Sequence, residues 1–212
     1  MKKKPYLTGY IKYITDKEFK EIRHYVNTEI LSPPMRMIIK TVMYLGLRAG
    51  EACELKRENF NKDFSLLTFQ VKKTNQIKQR KLQRFLSMLF RSYNQNYKSY
   101  MREDYLFYPY RNKSKYKHIQ RNSVSAKFAH IRKALGYDHV YYTCKDGKKL
   151  YRVSSHTLRH YAIYRYYIAS GKDIIATQQI IGHKKIETTS KYIRSLEAMN
   201  KEQQIIEKAF TF

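Results

Sequence analysis

The chain has 212 residues, and its hydrophobic fraction of 42% supplies enough apolar side chain for one good domain or two small ones, which argues against disorder along its whole length. No segment reaches the roughly 20 apolar residues of a transmembrane helix, and the basic start lacks the apolar stretch of a signal peptide, so neither is expected. Because 43 basic residues oppose 17 acidic ones, the net charge of +26 favours DNA or RNA as the partner over an anionic membrane surface.

The N-terminal half predicts helices around one basic hairpin. Thr15 and Glu18 have the spacing of a capping box, which indicates the start of a first helix. A second helix is expected to begin at Pro33 and Pro34, because proline is tolerated in the first turn, and to end at Gly46. The other predicted elements of this half are a short helical turn at 51–55, strands at 66–71 and 77–82, and a helix at 84–103.

The C-terminal half is predicted to be mainly helical, with a second hairpin. Asp146-Gly147 stands between aliphatic and aromatic runs, which is a good signal for a β-hairpin over 140–153. Predicted helices cover 123–135, 156–170, 173–181, 188–194 and a tail at 195–210. Since no repeat, low-complexity segment or linker forces a boundary, the sequence predicts one mainly α domain with a small antiparallel β-sheet.

The cysteines and the glycine pattern argue against bound cofactors. Cys53 and Cys144 are isolated from any CxxC or Cys/His ligand spacing, so we expect two reduced thiols in a cytoplasmic protein and no zinc site. The sequence has no Gly-rich phosphate loop of the GxGxxG or Walker type, so no nucleotide cofactor is expected.

The stretch SHTLRHYAIYRYY, at 155–167, concentrates polar groups on one predicted helix. His156 and Arg159 are three positions apart and therefore share a face. His156 and His160 are four apart, which is also a spacing of metal ligands, but HTLRH lacks the glutamate of HExxH and a third ligand is not evident. On its own, the stretch is equally compatible with a structural histidine and an exposed arginine.

Two other stretches change the interpretation of this one. His183 follows His156 by 27 positions, and Tyr192 follows His183 by nine. Upstream, Arg48 lies just after a predicted buried helix and beside a turn, where Glu51 can fix its side chain in position.

Taken together, GLRAGEACEL, HTLRH and IGHKKIETTSKYI resemble the three conserved boxes of the tyrosine recombinase (phage integrase) family. The boxes stand in the family's order, and the resemblance runs from about Thr15 to Tyr192. It implies the catalytic-domain fold of that family and a site-specific recombinase that breaks and rejoins DNA without a cofactor.

The resemblance also implies a role for each residue of the boxes. Arg48 and Arg159 would clamp the non-bridging oxygens of a scissile phosphate, since planar guanidiniums offer paired hydrogen bonds that lysine cannot match. His156 and His183 would donate hydrogen bonds to the same phosphate or help move a proton. Tyr192 would be the nucleophile and form a 3′-phosphotyrosyl link.

Two residues are expected to support this set. Glu51 would hold the first arginine. His160 is expected to be structural or supporting, and the aromatic run behind it is expected to pack its helix in place.

In the family, a lysine on a β-hairpin tip protonates the leaving 5′ oxygen, and this chain offers several in QVKKTNQIKQRKLQ. Lys73 fits the pattern best, while Lys72 and Lys78 are rivals because the register of the hairpin is uncertain. The lysines that are not catalytic, together with Arg80, are expected to contact the DNA backbone.

The resemblance divides the chain into three segments: a basic leader at 1–14, the catalytic domain at 15–194 and a tail helix at 195–212. The N-terminal core-binding domain of most members is expected to be absent. The tail would dock on a neighbouring protomer or fold back on its own domain. The hairpin at 140–153 would contact DNA, contact another protomer, or do neither.

The implied partners are double-stranded DNA with specific recombination sites and three further copies of the chain, in a homo-tetramer that exchanges strands through a Holliday junction. Accessory DNA-bending or core-binding proteins are further candidates, and a plasmid- or virus-encoded prokaryotic context is expected. Two alternatives stay open: a catalytically silent DNA-binding protein of the same fold, and an enzyme like type IB topoisomerases. The sequence gives neither the target site nor the task among integration, excision, inversion and resolution.

Overall fold

A computed structural model describes residues 14–29, 31–71, 76–97, 105–109, 116–144, 146–147, 149–183, 185–190, 192–194, 196–197 and 201. Its elements are α1 (Asp16–Thr28), α2 (Pro33–Leu45), α3 (Ala49–Cys53), a 3-10 turn (Arg57–Asn59), β1 (Leu66–Val71), β2 (Gln76–Lys81), α4 (Arg84–Asn96), α5 (Arg121–Ala134), β3 (Val140–Thr143), β4 (Lys149–Tyr151), α6 (Ser155–Ala169) and α7 (Ile174–Ile181). Residues 186–190 and 192–194 are also helical. The predicted class, mainly α with small antiparallel β structure, is confirmed.

Helix α1 begins at the predicted capping box. The main-chain N–H of Glu18 donates to the Thr15 hydroxyl at 3.1 Å, and the main-chain N–H of Thr15 donates to the Glu18 carboxylate at 2.7 Å. Arg152, just after β4, forms an ion pair with Glu18, and the hydroxyl of Tyr161 in α6 donates to Asp16 at 2.6 Å. These contacts hold the start of α1 against α6 and the second hairpin.

Helix α2 is the centre of the hydrophobic core. Nine of its 13 residues are buried, and it packs mainly against α6. It ends at Gly46, as predicted, with φ of +60°. A Cβ at Gly46 would lie 3.3 Å from both the Ala162 Cβ and the Ile181 Cδ1, so glycine is required where the end of α2 meets α6 and α7.

The strands form two separate antiparallel hairpins within the described residues. In the first, the register pairs Leu66 with Lys81 and Leu67 with Arg80. In the second, the register is irregular between Val140 and Tyr142, and the predicted Asp146-Gly147 turn is borne out by a φ of +76° at the glycine.

The helix boundaries differ from the predicted ones by a few residues. Helix α4 is described to Asn96, whereas the prediction continued to 103, and residues 98–103 lie outside the described part of the chain. The leader, apart from residue 14, and most of the tail at 195–212 lie outside it as well. The division of the chain into leader, catalytic domain and tail therefore stays a prediction.

Candidate active site

Arg48 stands between α2 and α3, where the backbone is extended (φ −65°, ψ 146°). Its Nη1 donates to Oε1 of Glu51 at 2.7 Å, and its main-chain N–H donates to Oε2 of the same carboxylate at 2.8 Å. The side chain of Arg48 is 39% exposed. It is thus oriented at both ends by Glu51, as predicted, and remains open to solvent.

Arg159 lies on α6 and is almost fully buried, with 2% of its surface exposed. Its Nη1 donates to the carbonyl oxygen of Gly46 and lies 3.7 Å from Oε2 of Glu51. Burial and the positive charge of Arg48 lower the pKa of Arg159 to about 10, while Glu51 opposes the shift. The guanidinium is still protonated at pH 7, and a buried cation in this position is well suited to bind an anion.

His183 follows Gly182, which ends α7 with φ of +79°. Its Nε2 lies 3.1 Å from Nη2 of Arg159, and its Nδ1 lies 2.9 Å from the hydroxyl oxygen of Thr189. The side-chain amide of Gln178 donates to the main-chain carbonyl of His183 at 3.1 Å. Both the ring and the backbone of this histidine are therefore held in place.

Tyr192 lies against two histidine rings. The ring centroid of His160 is 4.2 Å from that of Tyr192, and the centroid of His183 is 6.0 Å away. His156 contacts His160 edge-on, with centroids 4.3 Å apart, and is itself exposed. The structure thus places His160, rather than His156, in direct contact with the predicted nucleophile.

The hairpin strand β2 contacts the ends of two helices through basic side chains. Lys78 Nζ donates to the carbonyl oxygen of Gln179 at 3.0 Å. The two terminal nitrogens of Arg80 donate to the carbonyl oxygens of Leu45 and Ile180. Carbonyls in the last turn of a helix lack hydrogen-bond donors within the helix. Lys78 and Arg80 supply such donors at the ends of α2 and α7.

These contacts bear on the residues predicted to meet DNA. These carbonyls use two of the five N–H donors of Arg80, so its predicted DNA contact has to be made alongside a structural role. Burial, followed by the charge of Arg80, lowers the pKa of Lys78. Lys72 and Lys73 lie outside the described residues, so the choice among the three lysines stays open.

The structure brings most of the predicted site together. Arg48, Glu51, Arg159 and His183 are linked by the contacts given above, and His160 and Tyr192 lie beside them. Sequence reasoning missed Thr189, whose only signal is its position three residues before Tyr192 in a predicted helix. It also missed the bonds of Arg80 to the helix ends, for which the sequence carries no local signal.

The described residues contain no cluster of three or more His, Cys, Asp or Glu side chains that could hold a metal ion. Both cysteines are free, as predicted, and burial raises the pKa of the Cys53 thiol to about 12. In the part of the chain that the structure covers, every helix is too short or too polar to cross a bilayer.

A mainly α domain in which two arginines, two histidines and a tyrosine converge has the composition of a phosphate-binding site with a potential nucleophile. The family model described as Phage integrase family matches residues 12–199. The chain therefore belongs to the phage integrase family. No curated protein matches the sequence significantly.

Solved structures show the same fold. XerA recombinase is similar with a TM-score of 0.67 and 23% identity, over 90% of this chain and 64% of that one. The XerH recombinase, in a post-cleavage complex with its difH substrate, gives a TM-score of 0.67 and 18% identity, over 88% of this chain and 50% of that one. The Tn1549 transposon integrase, in complex with a circular intermediate DNA, gives a TM-score of 0.66 and 16% identity, over 92% of this chain and 67% of that one. This chain thus spans about half to two thirds of the length of these proteins.

Proposed function

We propose that this chain is a site-specific DNA recombinase that cleaves and rejoins duplex DNA through a 3′-phosphotyrosyl intermediate. One observation carries the proposal: Tyr192 lies against His160 and beside His183, whose ring is hydrogen bonded to the buried Arg159. A tyrosine in this position meets a phosphate bound by the arginines. Membership of the phage integrase family and the net charge of +26 support the same conclusion.

The two arginines would bind the non-bridging oxygens of the scissile phosphate. Arg48 is open to solvent and can reach an incoming phosphodiester, while Arg159 is buried at the base of the site. Because the transition state of phosphoryl transfer carries more charge on these oxygens than the ground state, fixed guanidiniums lower the barrier. Glu51 fixes Arg48 before the substrate arrives, so little rearrangement is needed when DNA binds.

In the cleavage step, the phenolic oxygen of Tyr192 attacks phosphorus and gives its proton to a histidine of the site, a role that we assign to His183 beside it, and the bond between phosphorus and the 5′ oxygen breaks. The leaving oxygen takes a proton, which we assign to the hairpin lysine, Lys73 in the first instance. The products are a 3′-phosphotyrosyl link and a free 5′ hydroxyl. Attack of a 5′ hydroxyl from the partner strand reverses the step and releases the tyrosine, so the bond energy is conserved.

The proposed substrate is duplex DNA with paired recombination sites, bound by a homo-tetramer with accessory DNA-bending or core-binding proteins. The structures of XerH and of lambda integrase are DNA complexes of those proteins. For this chain, the excess of basic residues supports DNA binding. We extend the proposal to a prokaryotic, plasmid- or virus-encoded enzyme that acts in the cytoplasm.

The direct test is capture of the covalent intermediate. The chain would be incubated with nicked duplexes that carry the DNA flanking its gene and, in parallel, with a nicked pool that has a randomised core. On a denaturing gel, the wild type is expected to give a covalent protein–DNA band, and Tyr192→Phe none. Tyr25→Phe is the matched control, since Tyr25 is half-buried on α1, and it should behave as the wild type. A band that persists in Tyr192→Phe would show that another residue is the nucleophile.

Two outcomes would favour the alternatives. A wild-type chain that retards duplex DNA on a native gel but never gives the band would be a DNA-binding protein of the same fold. Relaxation of a supercoiled plasmid without recombination sites would indicate activity like that of type IB topoisomerases.

A further inference from the structure

We propose that Thr189 is a positioning residue that holds the ring of His183 in one orientation and couples this histidine to the segment that carries Tyr192. The inference rests on the proposed function, because it assigns His183 and Tyr192 to the cleavage step. Thr189 has no exposed surface, and its hydroxyl oxygen lies 2.9 Å from Nδ1 of His183.

The partners of His183 determine which of its nitrogens carries the proton. A guanidinium can only donate hydrogen bonds, so Nε2 of His183 must accept the one from Nη2 of Arg159. A neutral imidazole has one donor and one acceptor nitrogen. The proton is therefore on Nδ1, and the hydroxyl oxygen of Thr189 is its acceptor.

This tautomer keeps Nε2 directed toward the phosphate-binding side chains. The reverse tautomer would place an N–H of His183 against a donor nitrogen of Arg159 in a buried site. Without the Thr189 hydroxyl, the Nδ1–H would lose a buried acceptor, and leaving a buried donor unpaired is costly. The Thr189 bond thus opposes rotation or tautomer exchange of the ring.

The same bond joins two segments that are separate in sequence. Thr189 lies within the helical residues 186–190 and Tyr192 within the helical residues 192–194, and side chains three positions apart on a helix share a face. His183 is held from the other side by α7, through the bond from Gln178. Any displacement of the segment that carries Tyr192 relative to α7 must stretch the contact between Thr189 and His183, so histidine orientation and nucleophile position are set together.

Substitution of Thr189 separates this role from simple packing. Thr189→Val keeps the shape and removes the acceptor, whereas Thr189→Ser keeps the hydroxyl and removes only a methyl group. Thr188→Val is the matched control, because Thr188 is the exposed neighbour. Thr189→Ala serves as a second variant if Thr189→Val does not fold.

The first measurement needs no DNA. With 15N-labelled histidine and the His183 signals assigned through His183→Gln, NMR reports which ring nitrogen is protonated and how fast its proton exchanges with solvent. We expect a slowly exchanging Nδ1–H in the wild type, Thr189→Ser and Thr188→Val, and faster exchange of this proton in Thr189→Val, where its acceptor is missing. An exchange rate of Nδ1–H that is unchanged in Thr189→Val overturns the proposal.

The second measurement is the rate of covalent adduct formation on the nicked DNA pool. Thr189→Val is expected to be about fivefold slower, the factor that corresponds to one net hydrogen bond, with unchanged DNA retention on a native gel. Thr189→Ser should stay within about twofold of the wild type, and a rate equal to that of Thr189→Val would count against the proposal. If the wild type itself forms no adduct, the proposed function fails, while the NMR measurement still decides the role of Thr189.

Discussion

Glu51 holds Arg48 by two separate hydrogen bonds, one from the guanidinium at 2.7 Å and one from the main-chain N–H at 2.8 Å. The same carboxylate lies 3.7 Å from the guanidinium of Arg159. A single acidic side chain therefore provides the counter-charge for both cations of the candidate site. Because the carboxylate is only 11% exposed, solvent screens these interactions weakly.

Glu51→Gln is expected to slow DNA cleavage by at least about tenfold, because the amide keeps a similar shape but lacks the charge that orients the two guanidiniums. We also expect a loss of stability of about 1–2 kcal/mol, which stays modest because Arg48 is partly exposed. Cleavage rates and urea unfolding would be measured in parallel. Glu58→Gln, at an exposed ion pair with Lys56, is the control and should change stability by less than about 0.5 kcal/mol. Equal cleavage by Glu51→Gln and the wild type would mean that the counter-charge is dispensable.

Arg80→Gln is expected to destabilise the chain by about 2 kcal/mol and to lower Tm by roughly 4–8 °C. The reason is that the guanidinium donates hydrogen bonds to the carbonyl oxygens of Leu45 and Ile180. These residues lie at the ends of the helices that precede Arg48 and His183. The cleavage rate should fall by more than the affinity for DNA, because the helix ends that precede Arg48 and His183 would no longer be held in place. Thermal melts, native gels and adduct formation would be compared with those of Lys81→Gln, an exposed residue of the same strand. If Arg80→Gln instead weakens DNA binding as its main effect and keeps the wild-type Tm, the sequence-based prediction of a phosphate contact would be right.

Local signals account for the parts of the fold that were predicted from the sequence. The capping box at Thr15, the glycine at Gly46 and the Asp146-Gly147 turn each act within a few residues of chain, and the structure has all three where expected. The C-terminal limit of α4 was predicted too far along because no glycine or proline marks it in the sequence.

The sequence predicts the residues of the candidate site that belong to its motifs, but not the contacts that these residues make with distant segments. Arg80 was assigned to DNA because lysine- and arginine-rich hairpins usually face solvent, yet its partner Ile180 is 100 residues away and no local pattern reports that contact. Helical spacing put both His156 and His160 near Arg159. Which of them contacts Tyr192 depends on how the segment that carries Tyr192 packs against α6, and this is determined by the tertiary structure.

A pH-dependent contribution to stability is expected from Glu18. Burial favours the neutral carboxyl, but hydrogen bonds from Arg152 and Thr15 outweigh it, so the pKa of Glu18 lies below its ordinary value of 4.5. A depressed pKa means that the ionised carboxylate stabilises the fold fully above about pH 4.5 and that this stabilisation is lost as the pH falls through the folded-state value.

Glu18→Gln should therefore be less stable than the wild type by about 1–3 kcal/mol at pH 7, and the difference should shrink steadily below pH 4.5. Urea unfolding at pH 7, 5, 4 and 3.5 measures it. Glu187→Gln, at an exposed position, should differ little from the wild type at every pH. A difference between the wild type and Glu18→Gln that is the same at pH 7 and pH 3.5 would show that the carboxylate charge is not what stabilises the start of α1.

The identity of the general acid can be resolved with a DNA substrate in which sulfur replaces the 5′ bridging oxygen at the scissile phosphate. A thiolate leaves without protonation, since thiols have pKa values near ~8.5 whereas a hydroxyl is far less acidic. Lys73→Ala is expected to slow cleavage of ordinary DNA by about 10²-fold or more and to cleave the sulfur substrate at nearly the wild-type rate. Lys78→Ala should slow both substrates equally, because Lys78 donates to the carbonyl of Gln179 at the end of α7. Rescue by sulfur in Lys78→Ala but not in Lys73→Ala would make Lys78 the acid, a role to which its lowered pKa is suited, and rescue confined to Lys72→Ala would give the role to Lys72.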